Sequence, residues 1–117
     1  MNGIEGVREN FRRGLTELLI LLCLSESDQS ACQLAKEIEE RTNGLIDLNM
    51  TSFYGPIYRL LSYKYVKEYT VPISSIEKRS YYSITPEGRE YYRLLLDEYK
   101  HTNNQITQVI DLIEQKD

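Results

Sequence analysis

A chain of 117 residues supports one domain, because a hydrophobic core usually serves on the order of 100 to 200 residues, so a single fold must carry the activity. Its 41% hydrophobic content excludes an intrinsically disordered chain, and a formal net charge of -4 argues at first against nucleic acid, whose phosphates call for Lys and Arg. One histidine, His101, and two cysteines outside any CxxC spacing, Cys23 and Cys32, make no metal site, and no nucleophile–base arrangement or phosphate loop marks an enzyme or a cofactor.

Residues Met1 to Asn10 hold no apolar run behind a basic start, so no secretory leader is indicated and the cytoplasm is the expected compartment. From Phe11 to Leu24 the residues Phe11, Leu15, Leu18, Leu19 and Leu22 form one stripe, widened by Ile20, Leu21, Cys23 and Leu24. This predicts a helix buried on several sides, too short an apolar run for the roughly 20 residues of a membrane span. Both thiols are expected to be buried and reduced. Ser30-x-x-Gln33 has capping-box spacing and predicts a second helix, with Leu34, Ala35 and Ile38 inward and a stop near Asn43-Gly44. Asn49, Thr51 or Ser52 can cap a third helix through Phe53, Ile57, Leu60 and Leu61.

Val66 to Val71 and Arg79 to Ile84 are rich in β-branched and aromatic residues and flank a polar, proline-containing connection, which predicts a hairpin. Thr85-Pro86 then supplies an N-cap and a proline at the first helical position. Along the terminal helix Tyr92, Leu96, Tyr99, Asn103, Ile106, Ile110 and Ile113 alternate steps of four and three, the spacing of a coiled-coil seam, with Asn103 as a polar register residue. The alternative is an amphipathic helix packed on its own domain, where a broader apolar stripe is usual.

The charge is unevenly placed. Between Arg59 and Arg79 five bases oppose only Glu68 and Glu77, whereas the segment from Pro86 onward is acidic. Three helices and a two-stranded wing make an α+β winged helix-turn-helix, in which the third helix enters a major groove and the hairpin reaches the neighbouring backbone. The candidate DNA contacts are Asn49, Thr51, Ser52, Tyr54, Tyr58, Arg59 and Lys64 on and around that helix, with Lys78 and Arg79 on the wing: hydroxyls for phosphates or base edges, cations for phosphates, and a guanidinium fork for guanine. The competing assignments are tyrosines packed on the wing and an Arg59 ion pair with Glu40 or Glu68.

Several segments also resemble a known family. Phe11-Arg12-Arg13-Gly14-Leu15-Thr16-Glu17-Leu18-Leu19-Ile20-Leu21, Ala35 through Gly44, Ser52-Phe53-Tyr54, Arg59-Leu60 and Arg79-Ser80-Tyr81-Tyr82-Ser83-Ile84-Thr85-Pro86-Glu87-Gly88-Arg89 are similar in order and spacing to PadR-type transcriptional regulators. The last segment matches that family's R-K-Y-Y-x-L-T-x-x-G-R. The resemblance implies that Ser52, Tyr54 and Arg59 lie on the DNA-reading helix, that the short terminal helix dimerises, and that Tyr99 occupies the position on which some members stack planar ligands. Two departures stand out. Ser30-Ala31-Cys32 replaces a His-Gly-Tyr type sequence, and Tyr54-Gly55-Pro56 displaces the expected Tyr-Pro by one residue, which predicts a recognition helix that starts late or is kinked.

The resulting expectation is a homodimeric repressor on an inverted-repeat operator, with residues 1–85 as a winged-helix DNA-binding domain and residues 86–117 as a dimerisation helix. Its partners are double-stranded DNA, a second copy of the chain and a small aromatic or hydrophobic effector at Tyr99, with no membrane involved. The alternatives are a winged-helix protein-interaction module and an architectural, replication or partition DNA-binding protein.

Overall fold

The computed structural model describes residues 14–115, without the side chains of Met50 and Thr51. Phe11, the first residue of the expected first helix, lies outside that range. The described elements are α1 (Thr16–Glu26), β1 (Gln29–Ser30), α2 (Ala31–Arg41), α3 (Met50–Ser62), β2 (Val66–Pro72), β3 (Lys78–Ile84) and α4 (Pro86–Glu114). The result is an α+β winged-helix arrangement in which α1 is central, packed against α2, α3, α4 and β3.

Helix α1 buries Leu18, Ile20, Leu21, Cys23 and Leu24, as its nearly continuous apolar circumference requires. Around it close Leu34 and Ile38 from α2, Phe53, Ile57 and Leu60 from α3, and Val66, Tyr82 and Ile84 from the base of the hairpin. Each fully buried aliphatic or aromatic side chain contributes about 1.5 to 3 kcal/mol, and this shared burial holds the three helices at fixed mutual angles. Cys23 belongs to the core. Burial, aided by the Glu37 carboxylate, pushes its thiol up to about 12. Cys32, expected inside as well, is exposed, because the inward face of α2 is carried by Leu34 and Ile38.

Local chemistry sets the helix ends where the spacing predicted. The Ser30 side chain accepts from the Gln33 N–H at 3.3 Å, and the Ser30 N–H donates to Gln33 Oε1 at 3.0 Å. Helix α2 ends at Arg41, and Asn43 and Gly44 follow in the left-handed region at φ 54° and 79°, the Gly44 N–H donating to the Glu39 carbonyl at 2.7 Å.

The sheet differs from the expected two-stranded wing. Its order is β1-β3-β2, all antiparallel: β2 and β3 pair from Val66↔Ile84 to Pro72↔Lys78, and β1 adds Gln29↔Tyr82 and Ser30↔Tyr81. Two residues are too few to show an alternation pattern, so the third strand comes from tertiary pairing. Thr85 caps α4 by accepting from the Gly88 N–H at 2.9 Å, with Pro86 in the first turn. The early turns of α4 lie on the core through Tyr91, Tyr92 and Leu95, and the helix then runs on as an exposed arm, giving the molecule extents of 67 × 33 × 22 Å. No helix among the described residues is long and apolar enough to cross a membrane.

Candidate nucleic-acid interface

Helix α3 divides cleanly into two faces. Phe53, Ile57 and Leu60 are buried, while Ser52, Gly55, Tyr58, Arg59 and Ser62 are exposed. The late start expected from Gly55-Pro56 does not occur, since the helix runs from Met50 to Ser62 with Pro56 inside it. Proline in a helix interior costs about 3 kcal/mol, and burial of Phe53, Ile57 and Leu60, at about 1.5 to 3 kcal/mol each, outweighs that loss. Asn49 is the cap: its Oδ1 accepts from the Ser52 N–H at 2.9 Å, and the Asn49 N–H donates to Ser52 Oγ at 3.0 Å. Both residues therefore stand exposed at the helix start, each engaged with the other. The Thr51 side chain lies outside the described residues.

The remaining candidates on α3 separate. Tyr54 is half-buried against the core, edge-on to Phe53 and stacked on the exposed Tyr58 with ring centroids 5.4 Å apart. Arg59 points to neither Glu40 nor Glu68. Its Nε donates to Glu17 Oε1 of α1, whose side chain is only 13% exposed, and this bond raises the guanidinium above its ordinary value. Arg59 is thus a cross-link between α3 and α1. Lys64 lies in the turn after α3 at φ 64°, about 18 Å along the helix from Ser52 at 1.5 Å per residue.

Lys78 and Arg79 are exposed on the wing opposite Pro72 and Val71, and neither takes part in an ion pair among the described residues. A tie that sequence reading missed orients this hairpin. Tyr69 Oη of β2 donates to Asp28 Oδ2 at 2.7 Å, across the face of Tyr81, on which its ring stacks at 5.9 Å. The carboxylate raises the Tyr69 phenol above its ordinary value. No local signal announces a contact between residues so distant in the chain.

A second missed feature joins α3 to α4. The Tyr65 carbonyl accepts from the Thr85 N–H at 3.0 Å, Thr85 Oγ1 donates to the Lys64 carbonyl at 2.7 Å, and Tyr65 stacks on Tyr91 at 4.2 Å with planes 5° apart. Gly88 packs so tightly on Tyr65 that an added Cβ would lie 1.9 Å from the Tyr65 oxygen. The end of α3 and the start of α4 are therefore one packed unit.

The seven seam positions fall into two groups. Tyr92 rests on the chain's own core and Leu96 is half-buried, whereas Tyr99, Asn103, Ile106, Ile110 and Ile113 are exposed on the distal arm. Val109 and Leu112, also exposed, widen the apolar stripe beyond the two seam rows. Tyr99 is 43% exposed, beside the last turn in contact with the body.

Comparison with known proteins places this arrangement. The family model described as "Transcriptional regulator PadR-like family" matches residues 20–94. Among solved structures, a transcriptional regulator from Clostridium thermocellum is 31% identical, with a TM-score of 0.78 over 85% of this chain and 96% of its own. A PadR family transcription regulator from Clostridium difficile is 26% identical, with a TM-score of 0.72 over 83% of this chain and 99% of its own. The fold is shared with Bacillus subtilis PadR in a complex with operator DNA, at 14% identity and a TM-score of 0.64 over 71% of this chain and 46% of that one. With three packed helices, a tied wing and a terminal helix in this order, and with the family model covering more than half of its length, the chain belongs to the PadR-like family of transcriptional regulators.

Proposed function

We propose that this regulator is a repressor that binds an inverted-repeat operator as a homodimer. The observation that carries the reading is the polarity of the two exposed surfaces. The outward face of α3 and the wing carry hydroxyls and cations, while the distal arm of α4 carries Ile106, Val109, Ile110, Leu112 and Ile113 exposed among the described residues. A helix stripe of that breadth in water calls for a partner. A second copy of the arm supplies one, and Asn103 in the seam sets the register.

In this arrangement two α3 helices enter successive major grooves, about 10 base pairs apart, and Lys78 and Arg79 of each wing hold flanking phosphates. Ser52 and Tyr58 face the bases or their backbone. Occupancy of a promoter excludes polymerase. A small hydrophobic effector beside Tyr99 changes the angle between the two arms, and the packed Tyr65–Gly88 unit passes that rotation to α3. The Bacillus subtilis relative bound to operator DNA supports this use of the shared fold.

Selection of bound duplexes from a random pool tests the reading. The expected product is a palindrome whose half-sites lie about one helical turn apart, bound by two chains, with affinity falling about tenfold or more between 50 and 200 mM salt. Enrichment of no duplex, or a single chain in sedimentation at working concentration, would overturn it.

A further inference from the structure

The core anchors the wing at its base. Val66, Tyr82 and Ile84 are buried, with Tyr82 set edge-on to Phe53 of α3 at 6.1 Å, whereas every residue of β2 after Val66 is exposed, as are Lys78 and Arg79 of β3. Halfway up, at the fourth of seven strand pairs, Tyr69 lies opposite Tyr81 and stacks on it with planes 19° apart. Its hydroxyl donates to Asp28 Oδ2 at 2.7 Å. Asp28 stands immediately before β1, whose Gln29 and Ser30 are buried and paired with Tyr82 and Tyr81. The bond therefore runs from the edge strand β2 across β3 to the body of the molecule.

Both partners are exposed, and one exposed hydrogen bond adds little to the stability of the fold. What it fixes is an angle. From Val66 to Pro72 the strand rises about 20 Å at about 3.3 Å per residue, so a swing of about 15° about the base moves the far end by about 5 Å, beyond the roughly 3 Å reach of a hydrogen bond. Lys78 pairs with Pro72 and Arg79 with Val71 at that end, so the place of both cations follows the angle. The charge of Asp28 repels a polyanion, which leaves its acceptor oxygen as the useful group. The hydrogen bond to that oxygen holds the Tyr69 phenol above its ordinary value, so it remains a donor at neutral pH.

We infer that Asp28 and Tyr69 are positioning residues for operator recognition: the hydrogen bond between them sets the angle of the wing to α3, so that Lys78 and Arg79 reach phosphates in register with the base contacts of α3. The inference rests on the DNA-binding reading and adds to it two residues that act without touching DNA. A wing freed from Asp28 still finds phosphates on any duplex, but it must be ordered anew on the operator, and that ordering subtracts from specific binding alone.

The test titrates the full chain with its selected operator and with a random-sequence duplex at the same salt concentration, and reads the ratio of the two affinities. Tyr69→Phe and Asp28→Ala are each expected to lower the ratio about fivefold, and the two together no further than either alone. Asp28→Asn loses the same charge as Asp28→Ala but keeps an acceptor oxygen, and its ratio is expected to stay within about twofold of the parent. A chain that is merely less stable loses affinity for both duplexes alike, so equal losses on the two overturn the inference. A Tyr69→Phe chain with the parental ratio, an Asp28→Asn chain that falls as far as Asp28→Ala, or additive losses in the double variant overturn it as well, while leaving DNA binding intact. A parent chain that binds no duplex overturns both this inference and the reading beneath it.

Discussion

Gly88→Ala is the sharpest test of the joint between α3 and α4. The new methyl would lie 1.9 Å from the Tyr65 oxygen and 2.8 Å from the Tyr65 carbonyl carbon, both main-chain atoms. An ordinary carbon–oxygen contact is about 3.3 Å, so the turn at Tyr65 and the start of α4 must separate by about 1.4 Å. That movement stretches the 3.0 Å bond from the Thr85 N–H to the Tyr65 oxygen and unseats the Tyr65–Tyr91 stack. Overpacking of this kind costs about 1 to 3 kcal/mol and a lost hydrogen bond about 1, against a gain of about 1 from replacing glycine in a helix. The net loss is about 2 kcal/mol, a fall in Tm of roughly 8 °C at fixed protein concentration. Thermal unfolding followed by circular dichroism measures it. A variant that melts at or above the parental temperature would show that Tyr65 and Gly88 are not in contact and that α3 and α4 are free to move apart.

Four further outcomes follow from the same geometry. Asn49→Ala removes the cap of α3 and is expected to cost about 1 kcal/mol, read as a lower denaturation midpoint with an unchanged m-value. Glu17→Gln and Arg59→Ala should destabilise the fold in a coupled way, visible as non-additivity in a double-mutant cycle; additive losses would place Arg59 outside the α1–α3 cross-link. The Cys23 thiol, raised to about 12, should resist iodoacetamide at pH 8 while the exposed Cys32 reacts, as peptide mass spectrometry can read. Because burial raises this thiol in the folded state only, its contribution to stability is complete below about pH 9 and is lost as the pH climbs toward 12.

The caps, the hairpin and the core face of each helix were legible because their causes are local. Ser30 with Gln33, Asn49 with Ser52, and Thr85 with Pro86 and Gly88 act within one turn, and Leu34, Ile38, Phe53, Ile57 and Leu60 recur at helical spacing. The candidate interface was legible only in outline. Sequence patterns cannot tell which exposed residue finds a distant partner: they leave Arg59 between DNA and an ion pair with Glu40 or Glu68, and Tyr54 between DNA and packing, whereas the fold sets Arg59 on Glu17 and Tyr54 half-buried beside Phe53. The Tyr69–Asp28 tie and the Tyr65–Tyr91 stack were missed for the same reason.

Periodicity and short-range hydrogen bonding thus determined the four helices and the hairpin, the caps of α2 and α4, and most of the core residues, although α1 begins at Thr16, after Gly14 at φ 90°, and not at Phe11. Tertiary structure alone decided that β1 joins the sheet, that Cys32 faces solvent and that Pro56 sits inside a continuous helix. The division follows from range: a pattern within four residues is written in the chain, whereas a contact across forty exists only once the core has fixed the elements that carry it.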